Sequence, residues 1–145
     1  MPPSISSMID HIIDVARGVA PHGPTNRENR EATRIPYNGH VSLIQFTPMG
    51  KKTKPLLLES ENISSGGLCV HLPEELPVGR RGALMLSRSD GERVILPAKV
   101  VYCNARDTFS YECGLEFEPP SVAVSIEDFK DDQGNMPEVG LSRAA

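Results

Sequence analysis

Apolar and polar residues alternate strictly near the end of the sequence, and this pattern constrains the fold more than any other feature. The apolar positions are Tyr111, Cys113, Leu115 and Phe117, and the positions between and after them are Glu112, Gly114, Glu116 and Glu118. A period of two is that of a β-strand with one buried face and one wet face. The stretch from Ser110 to Glu118 therefore predicts a strand at the surface of an apolar β-structure.

The same period recurs upstream, from Ile35 onwards. The predicted strands are Ile35 to Phe46, Pro55 to Asn62, Leu68 to Leu72, Arg81 to Arg88, Arg93 to Cys103 and Ser110 to Glu118. Turn signals separate them at Pro48-Met49-Gly50, Pro77-Val78-Gly79 and Ser89-Asp90-Gly91. Six short antiparallel strands without intervening helices predict an all-β fold, either a small barrel or a sandwich, because closure removes exposed strand edges.

The segment before the strands predicts an amphipathic helix. Apolar residues recur with a 3.6-residue period from Ser6 to Ala20, and Ser6 or Ser7 can serve as the N-cap. The apolar face can pack against its own domain, which we favour, or form a dimer contact, so monomer and homodimer both stay open. The stretch from Pro21 to Asn26 then breaks the helix and predicts a linker.

The segment after the strands is shorter and less regular. Pro119-Pro120 ends the body, Val122 to Phe129 predicts one short helix, and Asp131 to Ala145 predicts a loose tail. The predicted organisation is an N-terminal helix and linker (residues 1–26), a β-domain (27–120), and a short helix with a loose tail (121–145).

Composition excludes several classes of protein. The chain has 145 residues, a net charge of -4 and a pI of about 5.5, with no tryptophan and 5% aromatic residues. These values argue against DNA or RNA binding, which needs basic surfaces and, for single strands, stacking platforms. The three cysteines lie within predicted strands, which predicts buried, reduced thiols. The sequence contains no apolar run long enough to span a membrane and no secretion signal. We therefore expect a cytoplasmic protein.

No motif supports catalysis or metal binding. The four histidines, His11, His22, His40 and His71, show no metal-ligand spacing with one another or with the cysteines. Nucleophile elbows and phosphate-binding loops are absent from the sequence. The sequence therefore predicts a protein that is not an enzyme and has neither a metal site nor a cofactor.

Two polar segments are candidates for a binding site. The first contains Arg30 and Arg34, whose guanidinium forks suit phosphates and the O6/N7 edge of guanine, although they can equally form a solvated charge cluster. The second runs from Glu61 to Val70 and joins two predicted strands. Asn62 and Ser64 can point to one side of an extended backbone, and the glycines Gly66 and Gly67 permit positive φ and leave room for a ligand. The alternative for this segment is an ordinary turn.

Together the two segments, Arg-x-x-x-Arg followed by Asn-x-Ser-x-x-Gly, resemble the PilZ domain family of bacterial receptors for the second messenger cyclic di-GMP. The similarity covers roughly Arg27 to Glu118 and includes the final strand, which is similar to the family's closing Gly-x-x-Phe strand. The resemblance implies a six-stranded antiparallel β-barrel with a C-terminal helix. It also implies that Arg30, Arg34, Asn62, Ser64 and Gly67 bind cyclic di-GMP, with Arg27 and Gly66 as possible additional contacts.

The resemblance implies a receptor that changes conformation on binding and regulates an unidentified protein partner. We hypothesise that the arginine segment becomes ordered by the ligand and moves the N-terminal helix relative to the barrel. The alternative is a PilZ-like adaptor that does not bind nucleotide and acts by constitutive protein–protein interaction. The number of cyclic di-GMP molecules bound stays open.

Overall fold

The structure is a computed structural model that describes residues 4–18, 34–119 and 124–141. It contains one α-helix, α1 (Ile5–Arg17), and seven strands. The strands are β1 (Ile35–Gln45), β2 (Leu56–Ser64), β3 (Gly67–Leu72), β4 (Arg81–Ser87), β5 (Arg93–Asp107), β6 (Ser110–Phe117) and β7 (Gly140–Leu141). The all-β prediction is confirmed, and the six predicted strands correspond to β1–β6 with shifts of one to four residues at their ends.

The first six strands close into a ring. Every pairing is antiparallel, the order is β2-β3-β6-β5-β4-β1, and β1 pairs with β2 as well as with β4. Closure gives each of these strands a partner on both sides, so the ladder has no open edge among them. The three predicted turns are also present, and Gly50, Gly79 and Gly91 adopt positive φ values there, which a side chain would disfavour.

The inward-facing residues form one apolar core, and α1 closes it at one side. Ile9 and Ile13 of α1 are buried in the same cluster as Tyr37, Leu58 and Leu96 of the ring. The prediction that the helix packs against its own domain is therefore confirmed. Among the described residues, no helix combines the length and apolar character needed to cross a membrane.

The N-cap prediction for this helix is wrong by two residues. Ser4 is the N-cap, and its hydroxyl oxygen accepts a hydrogen bond from the backbone N–H of Ser7 at 3.1 Å. The helix ends at Arg17, and Gly18 is its C-cap. Ser6 and Ser7 thus lie inside the first turn, because the side chain of Ser4 already satisfies a free amide there.

The C-terminal segment packs on the outside of the ring. The predicted helix is a single 3₁₀ turn, Ile126–Phe129, with Phe129 buried against Ile44, Ala83 and Met85. Further along, β7 pairs with Gly39 and His40 of β1. The described part of the tail therefore differs from the loose segment that the sequence suggests, because its last residues belong to the sheet. Where the domain begins and ends stays a prediction.

Candidate functional site

Asn62 and Ser64 both lie within β2, whereas the sequence predicts that the strand ends at Asn62 and that Ser64 belongs to the connection before the next strand. Ser64 pairs with Gly67 of β3, so the hairpin turn consists of Ser65 and Gly66 alone. Ile63 is fully buried and points inward. Because side chains alternate along a strand, Asn62 and Ser64 point to the outer face, where both are partly exposed.

Arg34 lies beside these two residues. It directly precedes β1, whose first residue, Ile35, pairs with Ile63 of β2. By the antiparallel register, Arg34 is opposite Ser64, and it is exposed to solvent. The structure thus brings together Arg34, Asn62 and Ser64 on the outer face of β1 and β2, which we call the motif face.

The structure explains why residue 67 is a glycine, which the sequence alone does not. It is extended in β3 and pairs with both Ser64 and Glu116. A β-carbon at this position would collide with the backbone carbonyl oxygen of Leu115 on β6. The close approach that requires glycine here is that of a neighbouring strand, and the expected positive φ is not adopted.

The remaining predicted ligand contacts are Gly66 and the two arginines before Arg34. Gly66 is the second residue of the hairpin turn, where its N–H donates a 3.3 Å hydrogen bond to Ser64 Oγ. Arg27 and Arg30 lie outside the described residues. Their proposed roles therefore stay predictions.

Next to the motif face, four side chains from three strands converge on the outer surface. They are Glu61 of β2, Cys69 and His71 of β3, and Glu112 of β6. We call them the thiol–carboxylate cluster. Their ligand-type atoms lie within 4.8 Å of one another. No spacing along the chain indicates this arrangement, because cross-strand pairing brings the four residues together.

Tyr102 and Arg106 of β5 surround the thiol–carboxylate cluster. The Tyr102 ring lies where a β-carbon at Gly114 would be, and its hydroxyl is 3.3 Å from Glu112 Oε2 and 3.9 Å from Cys69 Sγ. Arg106 Nη1 donates a 3.0 Å hydrogen bond to Glu112 Oε1. Burial and the adjacent Cys69 and Glu112 raise the pKa of Tyr102, so its hydroxyl stays protonated and donates.

Cys69 connects the cluster electrostatically to the motif face. Burial raises the pKa of the Cys69 thiol and the charges of Glu112 and Glu61 raise it further, whereas the hydrogen bond from Tyr102 and the charge of Arg34 lower it. Arg34 is therefore close enough to Cys69 for its charge to act there. Cys69 is also the cross-strand partner of Asn62, so the cluster and the motif face adjoin.

A family model for the PilZ domain matches residues 28–129. The chain belongs to the PilZ domain family. A comparison with curated proteins finds no match for this chain. The matched part of the PilZ domain contains Arg30, Arg34 and the whole β2–β3 hairpin, whereas Arg27 and α1 precede it.

The family match extends further along the chain than the resemblance found in the sequence. The match continues beyond Pro120 to Phe129, the residue that anchors the 3₁₀ turn against the ring. PilZ domains are binding domains and generally not enzymes. For this chain, the family and the fold therefore support a binding role, and the motif face is the part of the PilZ domain where ligand-binding residues are expected.

Proposed function

We propose that the chain is a cytoplasmic cyclic di-GMP receptor that changes conformation on binding and so regulates a protein partner. One observation carries the proposal: in a PilZ domain, Arg34 lies opposite Ser64 and beside Asn62 on one exposed face. Two elements distant in sequence thus contribute a cation and two neutral polar groups to one surface. An enzymatic role and a cofactor form no part of this proposal.

The chemistry of the motif face suits a doubly anionic purine ligand. The Arg34 fork can bind a phosphate or the O6/N7 edge of a guanine through two parallel hydrogen bonds. Asn62 and Ser64 offer an amide and a hydroxyl to the rest of the base or to the ribose. The polar atoms of both residues already make hydrogen bonds of 3.3 to 3.4 Å to their neighbours, so a ligand would replace weak contacts.

The conformational change would come from the arginine segment. Arg30 is the second forked cation of the motif, and Arg27 is a possible third. Ordering a residue costs about 1 to 2 kcal/mol of backbone entropy, so the arginines must bind jointly to fix the segment. The partner surface would then include this segment in its ligand-bound form.

Isothermal titration calorimetry with cyclic di-GMP tests the proposal, with GTP and cyclic AMP as control ligands. We expect Arg34→Ala to weaken binding by about 2 to 4 kcal/mol, a thirty-fold to thousand-fold loss, because a ligand charge is left unpaired. Arg93→Ala is the matched control, since Arg93 is also exposed but lies at the start of β5. Equal affinity in both variants would remove the proposed site.

The second candidate function is a PilZ adaptor that does not bind nucleotide. What favours it is that Asn29 stands where the family often has a further arginine. Two results together would select it: no thermal shift with cyclic di-GMP, and partner capture that persists in an Arg30/Arg34 double alanine variant. Loss of partner capture in that variant would support the receptor.

A further inference from the structure

The thiol–carboxylate cluster has the donor set of a transition-metal site. It offers one thiol sulfur, one imidazole nitrogen and two carboxylates. These are the groups that bind Zn²⁺ in proteins, whereas Mg²⁺ and Ca²⁺ sites consist of oxygen ligands alone. Spacing in the sequence predicted no metal site at His71 or the cysteines, and the fold changes that expectation.

The ring positions each donor through strand register. His71 pairs directly with Glu112 of β6, and Cys69 is two residues away on the same face of β3. Glu61 reaches this face through a β-bulge, because Ser60 pairs with Val70 and Asn62 with Cys69, which leaves Glu61 without a partner residue. The donors are thus fixed by three paired strands and not by a loop.

The distances are close to those of a tetrahedral site. His71 Nε2 lies 2.7 Å from Glu61 Oε1, and Cys69 Sγ lies 4.0 Å from Glu61 Oε2. Tetrahedral zinc with ligands at 2.0 to 2.3 Å separates its donors by about 3.3 to 3.6 Å. Since all four donor atoms lie within 4.8 Å of one another, movements of about 1 Å would form that geometry.

The groups around the cluster match those of a metal site. Arg106 and Tyr102 hold the two oxygens of Glu112 at 3.0 and 3.3 Å, and Arg106 is also 3.9 Å from Glu61. Such outer partners orient carboxylate ligands. With a thiolate, two carboxylates, the Arg106 guanidinium and a divalent ion, the formal charges cancel. The partial exposure of Glu61, His71 and Glu112 leaves a path for the ion.

We propose that Glu61, Cys69, His71 and Glu112 bind one divalent transition-metal ion of the zinc class on the outer face of the ring. The site adjoins the motif face, since Asn62 donates a 3.4 Å hydrogen bond to Glu61, but its four ligands are not residues proposed to bind cyclic di-GMP. Without the ion, Arg106 forms an ion pair with Glu112, and His71 Nε2 is within hydrogen-bond distance of Glu61.

Titration of the reduced, chelator-treated full chain with Co²⁺ tests the site. We expect one equivalent to give tetrahedral visible bands and a thiolate-to-cobalt charge-transfer band, both lost when Zn²⁺ is added. Cys69→Ser should abolish the charge-transfer band, and His71→Ala should weaken binding by at least about tenfold. Cys103→Ser and His40→Ala are matched controls, since they remove a thiol and an imidazole outside the cluster, and they should bind as the unaltered protein does.

X-ray absorption of the zinc-loaded, unaltered protein tests the site without any variant. We expect one sulfur at about 2.3 Å and nitrogen or oxygen neighbours at about 2.0 to 2.1 Å. A shell with no sulfur would overturn the proposal. So would Co²⁺ spectra that lack the charge-transfer band, or spectra that are the same in Cys69→Ser and in the unaltered protein.

Discussion

Two segments cover the ring from outside its six strands, and they are attached in different ways. Helix α1 inserts Ile9, Ile13 and Ala16 into the main core. The C-terminal segment, residues 124–141, contributes Phe129 to a smaller apolar cluster with Ile44 and Met85. The first therefore shares the main core of the ring, whereas the second packs on the outer surface through Phe129 and contacts the main core through Leu141 of β7.

The Asp10 side chain, which attaches α1 to the ring, is also less exposed to solvent than the ion-paired side chains of the C-terminal segment. Asp10 of α1 accepts hydrogen bonds from the Ser89 hydroxyl at 2.6 Å and its backbone N–H at 3.0 Å. The side chains of the C-terminal segment form the ion pairs Lys54–Asp132, whose side chains are 84% and 86% exposed, and the less exposed Lys52–Asp128, and its last residues pair with β1 through β7. Exposed pairs contribute little, because solvent screens them.

The C-terminal segment also leaves a pocket against the ring. The pocket has a volume of about 210 Å³, is partly open to solvent and is lined by Ser42, Leu57, Phe129 and Pro137 among others. The Ser42 hydroxyl is buried there without a hydrogen-bond partner among the described residues. An unpaired buried hydroxyl costs about 1 to 3 kcal/mol. We infer that this segment opens more easily than α1, although the sequence predicts that both lie outside the β-domain.

The largest expected effect is on the core contacts of α1. Ile13→Ala should lower the free energy of unfolding by about 2 to 5 kcal/mol, because it leaves a cavity in the main core. Phe129→Ala should cost less globally and should instead raise hydrogen exchange of residues 124–141, since that segment can open alone. Chemical denaturation and exchange mass spectrometry measure the two effects. A greater global loss in the Phe129 variant would reverse the comparison.

The second effect concerns alkaline pH on the α1 side of the ring. The Tyr37 hydroxyl is buried and bonds to the Ser87 carbonyl at 2.5 Å, and burial raises the pKa of Tyr37 from 10.0 to about 12. The folded state thus keeps a proton that the unfolded state loses, so stability falls as pH rises from 10 to 12. The difference between these two pKa values corresponds to about 2.7 kcal/mol of folding free energy.

Denaturation at pH 9, 10 and 11 measures this loss, and Tyr37→Phe is the control because it has no titrating hydroxyl. The variant should be less stable at neutral pH, since the N–H and carbonyl of Ser87 lose their partner. Its stability should change less with pH above 10. Equal slopes for the two proteins would show that Tyr37 does not carry the effect.

Local pattern sufficed for the ring but not for the sites on its surface. The strand β6 was predicted to within one residue at its C-terminal end, because period-two alternation is a property of neighbouring residues. The predicted end of β2 at Asn62 was two residues too early, because Ser64 is typical of turns, whereas its pairing with Gly67 extends the strand. At this position, cross-strand hydrogen bonding determines the conformation more strongly than the turn propensity of the residue does.

The contacts that escaped prediction are those between distant segments. Glu61 and Glu112 meet only because a bulge and the β3–β6 register bring them to one face. Gly140 pairs with His40 of β1, and no pattern in the sequence of the tail predicts this pairing. The motif face was predictable through a family resemblance, which carries information about long-range pairing that a single sequence pattern does not contain.

A smaller effect is expected from the polar attachment of α1. Burial alone would raise the pKa of Asp10, but the hydrogen bonds from Ser89 and the charge of Arg88 prevail and lower it. Asp10 therefore adds stability above its unfolded pKa of about 3.8, and this contribution is lost as pH falls below that value.

We expect Asp10→Asn to lower Tm by a few degrees at pH 7 and by less at pH 3, where the unaltered carboxyl is largely protonated in the unfolded chain. Asp132→Asn is the matched control in the C-terminal segment, and its Tm should be unchanged because its pair with Lys54 is exposed. Thermal unfolding followed by circular dichroism gives both values. An equal loss in the two variants would mean that the attachments are equivalent.

The smallest expected effect is that of cyclic di-GMP on α1. Detaching the helix would expose Ile9 and Ile13, at a cost of about 3 to 6 kcal/mol for the two side chains. A ligand can supply only its difference in affinity between the attached and detached states. We therefore expect saturating ligand to slow hydrogen exchange at the motif face and to leave residues 9–16 of α1 unchanged.

Ile13→Ala provides the comparison for that experiment, because its weakened helix docking should let the same ligand change the exchange of α1. If α1 of the unaltered protein instead exchanges faster with ligand, the helix moves as hypothesised from the sequence. Nucleotide binding must then be strong enough to offset the cost of exposing Ile9 and Ile13. If α1 responds in neither protein, the ligand would have to act on the partner through the segment before Arg34 or through residues 124–141. The latter contain β7, which pairs with β1, the strand that follows Arg34.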